Sequence, residues 1–198
     1  GLMMSKEIIS KLKNCKVIGL ASVGVDMVDV EAATEAGIVV TNAPDVFIEE
    51  VADHALMLLL GAIRRTKEQN IFASENEWQK GRPQLNHTPR LMGQTLGLLS
   101  FGNVARCVAK RAQAFGCHVI AYDPYVSELT VAEYGVEPVS KQELLERSDY
   151  ISVHSPDNVE TRHSLNADTF AQMKDGVIIV NTARGPIIKE VDLIEALN

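Results

Sequence analysis

The sequence predicts an α/β protein built on a doubly wound parallel sheet. From Thr95 onward, apolar segments rich in β-branched residues alternate with amphipathic helical segments. The apolar segments carry no polar face, as expected of strands covered by helices on both sides. Residues 95–106 (TLGLLSFGNVAR) run from an apolar strand through a small-residue turn into a helix. Such a turn collects unpaired backbone N–H groups and the positive end of the helix dipole at one point.

Residues 1–14 mix polar residues with Ile8, Ile9 and Leu12 and read as helix-like. The apolar run over 16–21 reads as a strand, a short helix over 31–36 closes at Gly37, and 38–42 is a second strand. Strand, helix and strand in that order make a parallel unit. After the break at Ala43, Pro44 and Asp45, a long helix starts near Ile48. Its positions Ile48, Val51, Ala52, Ala55, Leu56, Leu59 and Ile63 keep the i, i+3, i+4 rhythm, and Met57, Leu58 and Leu60 widen the stripe nearly all round. A helix this apolar is buried on several sides, either within one core or at a subunit interface. Residues 75–90, with Trp78, Gly81, Pro83 and Pro89 among polar neighbours, read mainly as loop.

The alternation then begins. A strand over 96–100 leads to a helix from Asn103 that buries Val104, Val108, Ala112 and Phe115 and stops at Gly116. A strand over 118–123 follows. Ser140 and Glu143 form a capping box that opens the next helix. Strands over 150–154 and 177–181 flank a helix over 167–174 stopped at Gly176, and 189–197 starts a further helix.

The bulk numbers exclude several classes. A formal net charge of −7 argues against binding nucleic acid, which calls for a basic face. The apolar run over 55–63 is too short to span a bilayer, and no basic leader with a cleavage site opens the chain. Cys15, Cys107 and Cys117 form no CxxC pair and no closed disulfide framework, which suits a reducing cytoplasm.

Residues 100–105 match the dinucleotide pattern GxGxxG/A as Ser100-x-Gly102-x-x-Ala105. The first glycine serves the tight turn, so Ser100 requires either a negative φ or tolerated strain. One reading is that the turn opens slightly and NAD binds more weakly. An acidic residue that binds the adenosine ribose is expected about 20 residues on, at the end of the next strand. Asp123 stands there, and its carboxylate would repel a 2′-phosphate, favouring NAD over NADP. The alternative is an Asp that caps the Pro124 turn. After the last apolar strand come Asn181, Thr182, Ala183, Arg184 and Gly185. A cation at the carboxyl end of a parallel strand faces the crevice where such sheets bind ligands, so Arg184 is a candidate to grip a substrate carboxylate. The alternative is a surface arginine paired with a nearby acid.

With these motifs on the page, the chain resembles the D-isomer-specific 2-hydroxyacid dehydrogenase family, which includes phosphoglycerate dehydrogenases and the C-terminal-binding-protein corepressors. The resemblance rests on ASVGVD (21–26), EVADH (50–54), residues 95–106, YDP (122–124), VHSP (153–156) and NTARG (181–185), in the family's order. It implies a Rossmann-type NAD-binding domain over 48–198, preceded over 1–47 by the remnant of a flavodoxin-like substrate-binding domain. It also implies roles. Val23 and Gly24 match a loop facing the substrate carboxylate and nicotinamide. Asn103 and Val104 match residues under the pyrophosphate, beside Ser100 and Gly102, and Asp123 matches the ribose carboxylate. Ser155, Pro156, Thr182 and Ala183 match cofactor-lining positions, and Arg184 matches the catalytic, substrate-holding arginine that also borders the cofactor. The long helix matches one that joins the domains and contributes to a homodimer.

The implied activity is an NAD-dependent hydride transfer between nicotinamide and a small D-2-hydroxy or 2-oxo acid in the cytoplasm, with no metal, nucleic acid or membrane partner. The family's proton-transfer pair, a glutamate and a histidine, follows the arginine. No histidine follows Arg184 here, and Glu190 and Glu195 come too early to match, so the chain reads as the middle of such a protein. His154 matches a cofactor-loop histidine, while His54, His87, His118 and His163 carry no motif. The other reading is an NAD-binding, corepressor-like interaction module without catalysis.

Overall fold

A computed structural model describes residues 3–198, apart from the side chain of His87. Residues 1 and 2 of the expected N-terminal helix-like stretch lie outside the described residues. The chain divides into two compact units, Gly1–Phe47 and Ile48–Asn198.

In the first unit, α1 (Lys6–Ile9) precedes β1 (Val17–Gly19), α2 (Val30–Glu35) and β2 (Val39–Thr41). Strands β1 and β2 pair in parallel, Ile18 opposite Val40. Asp29 caps α2 by accepting from the Ala32 N–H, which satisfies one of the orphan donors of the first turn. Ile9, Val28, Ala32, Ala33 and Ile38 form this unit's own core. The expected helix over the first residues shrinks to the single turn of α1.

The second unit opens with α3 (Ile48–Ile63), α4 (Thr66–Ser74) and α5 (Trp78–Gly81), followed by a 3-10 turn over Arg82–His87. The polar stretch expected to be mainly loop is therefore largely helical. Within 75–90 these are α5 and the 3-10 turn, too short for an apolar periodicity to mark them in the sequence. Then come β3 (Thr95–Leu99), α6 (Asn103–Ala114), β4 (His118–Tyr122), α7 (Glu128–Glu133), β5 (Glu137–Pro138), α8 (Lys141–Arg147), β6 (Tyr150–Val153), α9 (Ala167–Phe170), β7 (Ile178–Asn181) and α10 (Glu190–Ala196).

The five strands pair in parallel in the order β5-β4-β3-β6-β7. The chain starts at the middle strand, winds outward through β4 and β5, and returns on the other side through β6 and β7. The reversal lies between β3 and β6, and ligands bind outside the carboxyl ends of the strands at such a point.

Alternation along each strand sorts its side chains to two cores. Leu96, Leu98, Val119, Ala121, Tyr150 and Val180 face α3 and α6, which contribute Ala52, Leu56, Leu59, Val108 and Ala112. Leu99, Ile120, Ile151 and Val153 face the other way, onto Leu144 and Leu145 of α8 with Leu165 and Ile187. Arg111 of α6 ties the first layer together, its Nη2 2.6 Å from Glu49 and its Nε 2.7 Å from Asp53 on α3.

Two expectations on these helices change. Val104 is only half-buried, and Phe115 is 47% exposed because α6 ends one residue before it. On α3, Met57 and Leu58 face outward, so its apolar stripe is wider than its own unit covers. The capping box of Ser140 and Glu143 forms as expected, and the stops at Gly37, Gly116 and Gly176 all take positive φ. Among the described residues, no helix is long and apolar enough to cross a membrane.

Candidate functional site

The site candidates of the second unit gather at the carboxyl ends of its strands. Ser100 follows β3 and adopts φ +76°, the strained alternative rather than the negative one. Three bonds hold it there. Its N–H donates to the Tyr122 carbonyl at 2.8 Å, and its hydroxyl lies 2.7 Å from the Ser155 hydroxyl. Ser155 Oγ in turn lies 3.3 Å from the Leu99 carbonyl. A carbonyl only accepts, so the Ser155 proton goes to Leu99 and Ser100 donates to Ser155. The serine at the first glycine position thus anchors the turn to the loop after β6.

Gly102 is the N-cap of α6, and no side chain caps that helix. A Cβ built on Gly102 would meet nothing within 4 Å. The first turn of this 12-residue helix, carrying Asn103 and Val104, thus starts without a side-chain cap, next to open space at Gly102.

Asp123 binds the backbone on both sides of this turn. Its Oδ2 accepts from the Phe101 N–H at 2.8 Å, and its Oδ1 from the N–H groups of Tyr125 at 2.8 Å and Val126 at 3.2 Å. The turn-capping alternative raised by the sequence is therefore realised, and the same carboxylate stands beside the glycine turn. An ionised carboxylate offers about four acceptor positions. Three are filled by backbone, which leaves about one acceptor position open.

After β7, the Asn181 side chain shapes the next loop. Its Nδ2 donates to the Arg184 carbonyl at 2.9 Å, and its Oδ1 accepts from the Ala183 N–H at 3.0 Å. Arg184 has extended backbone and is half-buried, with Nη1 donating to the Ala183 carbonyl at 2.9 Å. Thr182 lines a cleft of about 480 Å³ with Asn181 and with Glu50, Val51, His54 and Leu58 of α3.

Two enclosed polar atoms stand without a partner among the described residues here: Thr182 Oγ1 and His154 Nε2. Burial holds the His154 imidazole down to about 4, so it is neutral at pH 7. Pro156 is exposed beyond Ser155. Val23 and Gly24 belong to the first unit, where the Val23 carbonyl accepts from Asn42 Nδ2 and the Gly24 carbonyl from Ser22 Oγ.

This donor set fits an anionic dinucleotide: an uncapped helix start, a glycine that leaves space for a close approach, a carboxylate at the next strand end and unpartnered polar atoms at the ends of β6 and β7. Sequence reasoning missed the contact of Tyr125 with Glu160 and that of Lys141 Nζ with the Ser164 carbonyl. Each joins segments far apart in the chain, and no local spacing signals them.

The sequence profile of the family described as "D-isomer specific 2-hydroxyacid dehydrogenase, NAD binding domain" matches residues 56–198. The chain belongs to this family. D-3-phosphoglycerate dehydrogenase of Methanocaldococcus jannaschii is 42% identical over 198 residues, all of this chain but 37% of that protein. Hydroxypyruvate reductase of Thermotoga maritima is 43% identical over 192 residues, covering 97% of this chain and 61% of that protein. The crystal structure of a glyoxylate reductase from Paecilomyes thermophila superposes with a TM-score of 0.88 at 38% identity, covering 98% of this chain and 58% of that one. The chain thus spans between about a third and three-fifths of the length of these relatives. The fold is the family's α/β, Rossmann-type parallel sheet, and the cofactor its domain binds is NAD.

Proposed function

We propose that the chain is the central part of an NAD-dependent oxidoreductase acting on a small D-2-hydroxy or 2-oxo acid. The observation that carries this reading is the bond from the Phe101 N–H to Asp123, which joins the glycine turn to the ribose-binding carboxylate in one unit. Bound NAD supplies the hydride chemistry at nicotinamide C4. The residues supply position. Asn103 and Val104 offer N–H groups to the pyrophosphate beside Ser100 and Gly102. Ser155, Pro156, Thr182 and Ala183 line the crevice, and Asp123 accepts from the ribose.

Arg184 holds the substrate carboxylate and polarises the adjacent carbonyl, which draws electron density from C2 and favours hydride addition there. Val23 and Gly24, in the remnant of the substrate domain, are the first unit's substrate-binding candidates. The outward Met57 and Leu58 of α3 support a homodimer through that helix, and three free cysteines support a cytoplasmic setting.

Arg184→Ala in the full chain tests the reading. Turnover of NADH with a panel of 2-oxo acids should fall about 100-fold or more, with NADH affinity within about twofold of wild type. Unchanged turnover removes Arg184 from the reaction. NADH binding with no turnover on any 2-oxo acid favours the corepressor-like interaction module instead.

A further inference from the structure

The loop that follows β6 is braced along its length. Ser155 at its base bonds Ser100. Asn158 Oδ1 accepts from the N–H groups of Glu160 at 2.9 Å and Thr161 at 3.0 Å, and Thr161 Oγ1 donates to the Pro156 carbonyl. At the far end, Lys141 Nζ donates to the Ser164 carbonyl at 3.1 Å. Glu160 on this loop is exposed, and the Tyr125 hydroxyl donates to its Oε2.

The two partners come from opposite sides of the crevice. Tyr125 lies two residues beyond Asp123, on the loop after β4, whereas Glu160 lies on the loop after β6. Strands β4 and β6 flank β3, so their ends stand about 10 Å apart with the β3 turn beneath them. The phenol–carboxylate bond joins the loops that follow the two strands on either side of β3. We infer that Tyr125 and Glu160 form a clasp across the adenosine end of the NAD crevice, which opens for the cofactor to enter or leave. Tyr125 is 76% exposed and Val159, next to Glu160, is 97% exposed, so opening uncovers no core and breaks one bond at the rim. Both side chains are positioning residues. This inference rests on the proposed placement of NAD at the β3 turn.

Stopped-flow NADH fluorescence on the full chain tests it. Tyr125→Phe and Glu160→Ala should each raise the association and dissociation rate constants about two- to fivefold, the range for an exposed charge-assisted contact, with Kd within about twofold. The double variant should go no further than either single one, and Glu160→Gln, which keeps an acceptor, should return the rates towards wild type. Gly102→Val separates the two ways of failing. If it abolishes NADH binding while the clasp variants keep wild-type rates, the clasp is wrong and the cofactor placement stands. If Gly102→Val leaves NADH binding intact, the placement is wrong and the clasp falls with it. A lowered melting temperature with unchanged rates in Tyr125→Phe also overturns the clasp.

Discussion

At the scale of single residues, the turn after β3 balances strain against hydrogen bonding. A left-handed φ costs a serine about 1–2 kcal/mol, and a neutral hydrogen bond returns about 1 kcal/mol. Ser100→Ala keeps the φ of +76° and loses the hydroxyl that reaches Ser155. It should destabilise the protein by about 1 kcal/mol in urea unfolding. Ser100→Gly gives up the same bond but sheds the strain, so its stability should stay within about 0.5 kcal/mol of wild type. Equal stability of wild type and Ser100→Ala would show that the bond to Ser155 contributes nothing. Asp123 is the harsher test. Asp123→Ala leaves three N–H donors without their acceptor at a half-buried site, and should cost about 2–3 kcal/mol as well as NADH affinity. A loss of affinity with full stability would mean that the backbone bonds carry no weight and the carboxylate serves the ribose alone.

At the scale of elements, β5 is held by charge more than by length. It has two residues, and its Glu137 receives both Nη atoms of Arg147 on α8, at 2.8 and 2.9 Å, with His118 of β4 at 2.7 Å. The Arg147 guanidinium, and then His118, hold the Glu137 carboxyl down to about 2 from 4.5. A depressed carboxylate stabilises the fold above its unfolded value, and that contribution fades as pH falls from about 4.5 through about 2. The side chain is 40% exposed, so the gain is modest. Glu137→Gln should lower the urea midpoint at pH 7 and differ little from wild type near pH 2, and an equal deficit at both values would rule out the ionic contribution. This strand and α7 were not legible in the sequence, because neither has enough residues for a period to register. By contrast, β3, β4, β6 and β7 were legible within a residue or two, since each is an apolar run bounded by a glycine, a polar turn or a cap. The candidate site was legible for the same reason: Gly102, Asp123 and Arg184 stand at strand ends that the alternation marks. The side-chain ties that organise it, Ser100 to Ser155 and Tyr125 to Glu160, join residues 55 and 35 apart, and pairing at that range depends on strand order.

At the scale of the whole molecule, each unit carries its own core. Among the described residues, the Ile9–Ile38 cluster draws none from beyond Phe47, and both clusters that sandwich the five-stranded sheet draw none from before Ile48. The proposed NAD residues from Ser100 to Arg184 all belong to the second unit, whereas Val23 and Gly24 belong to the first. The proposed cofactor residues other than Val23, together with Arg184, are therefore carried by one unit. A chain of residues 48–198 should bind NADH with a Kd within about threefold of the 198-residue chain, because no proposed cofactor contact other than Val23 is removed and the loss of one peripheral contact is worth under about 1 kcal/mol. The same chain should show weaker protection by 2-oxo acids in thermal unfolding with NADH present, since the backbone groups of Val23 and Gly24 are gone while Arg184 remains. Fluorescence titration checks the first expectation and a melting curve with and without the acid checks the second. NADH binding lost on removing residues 1–47, with the sheet still folded by circular dichroism, would mean that the first unit supplies cofactor contacts beyond Val23, and the division of labour between the two units would have to be redrawn.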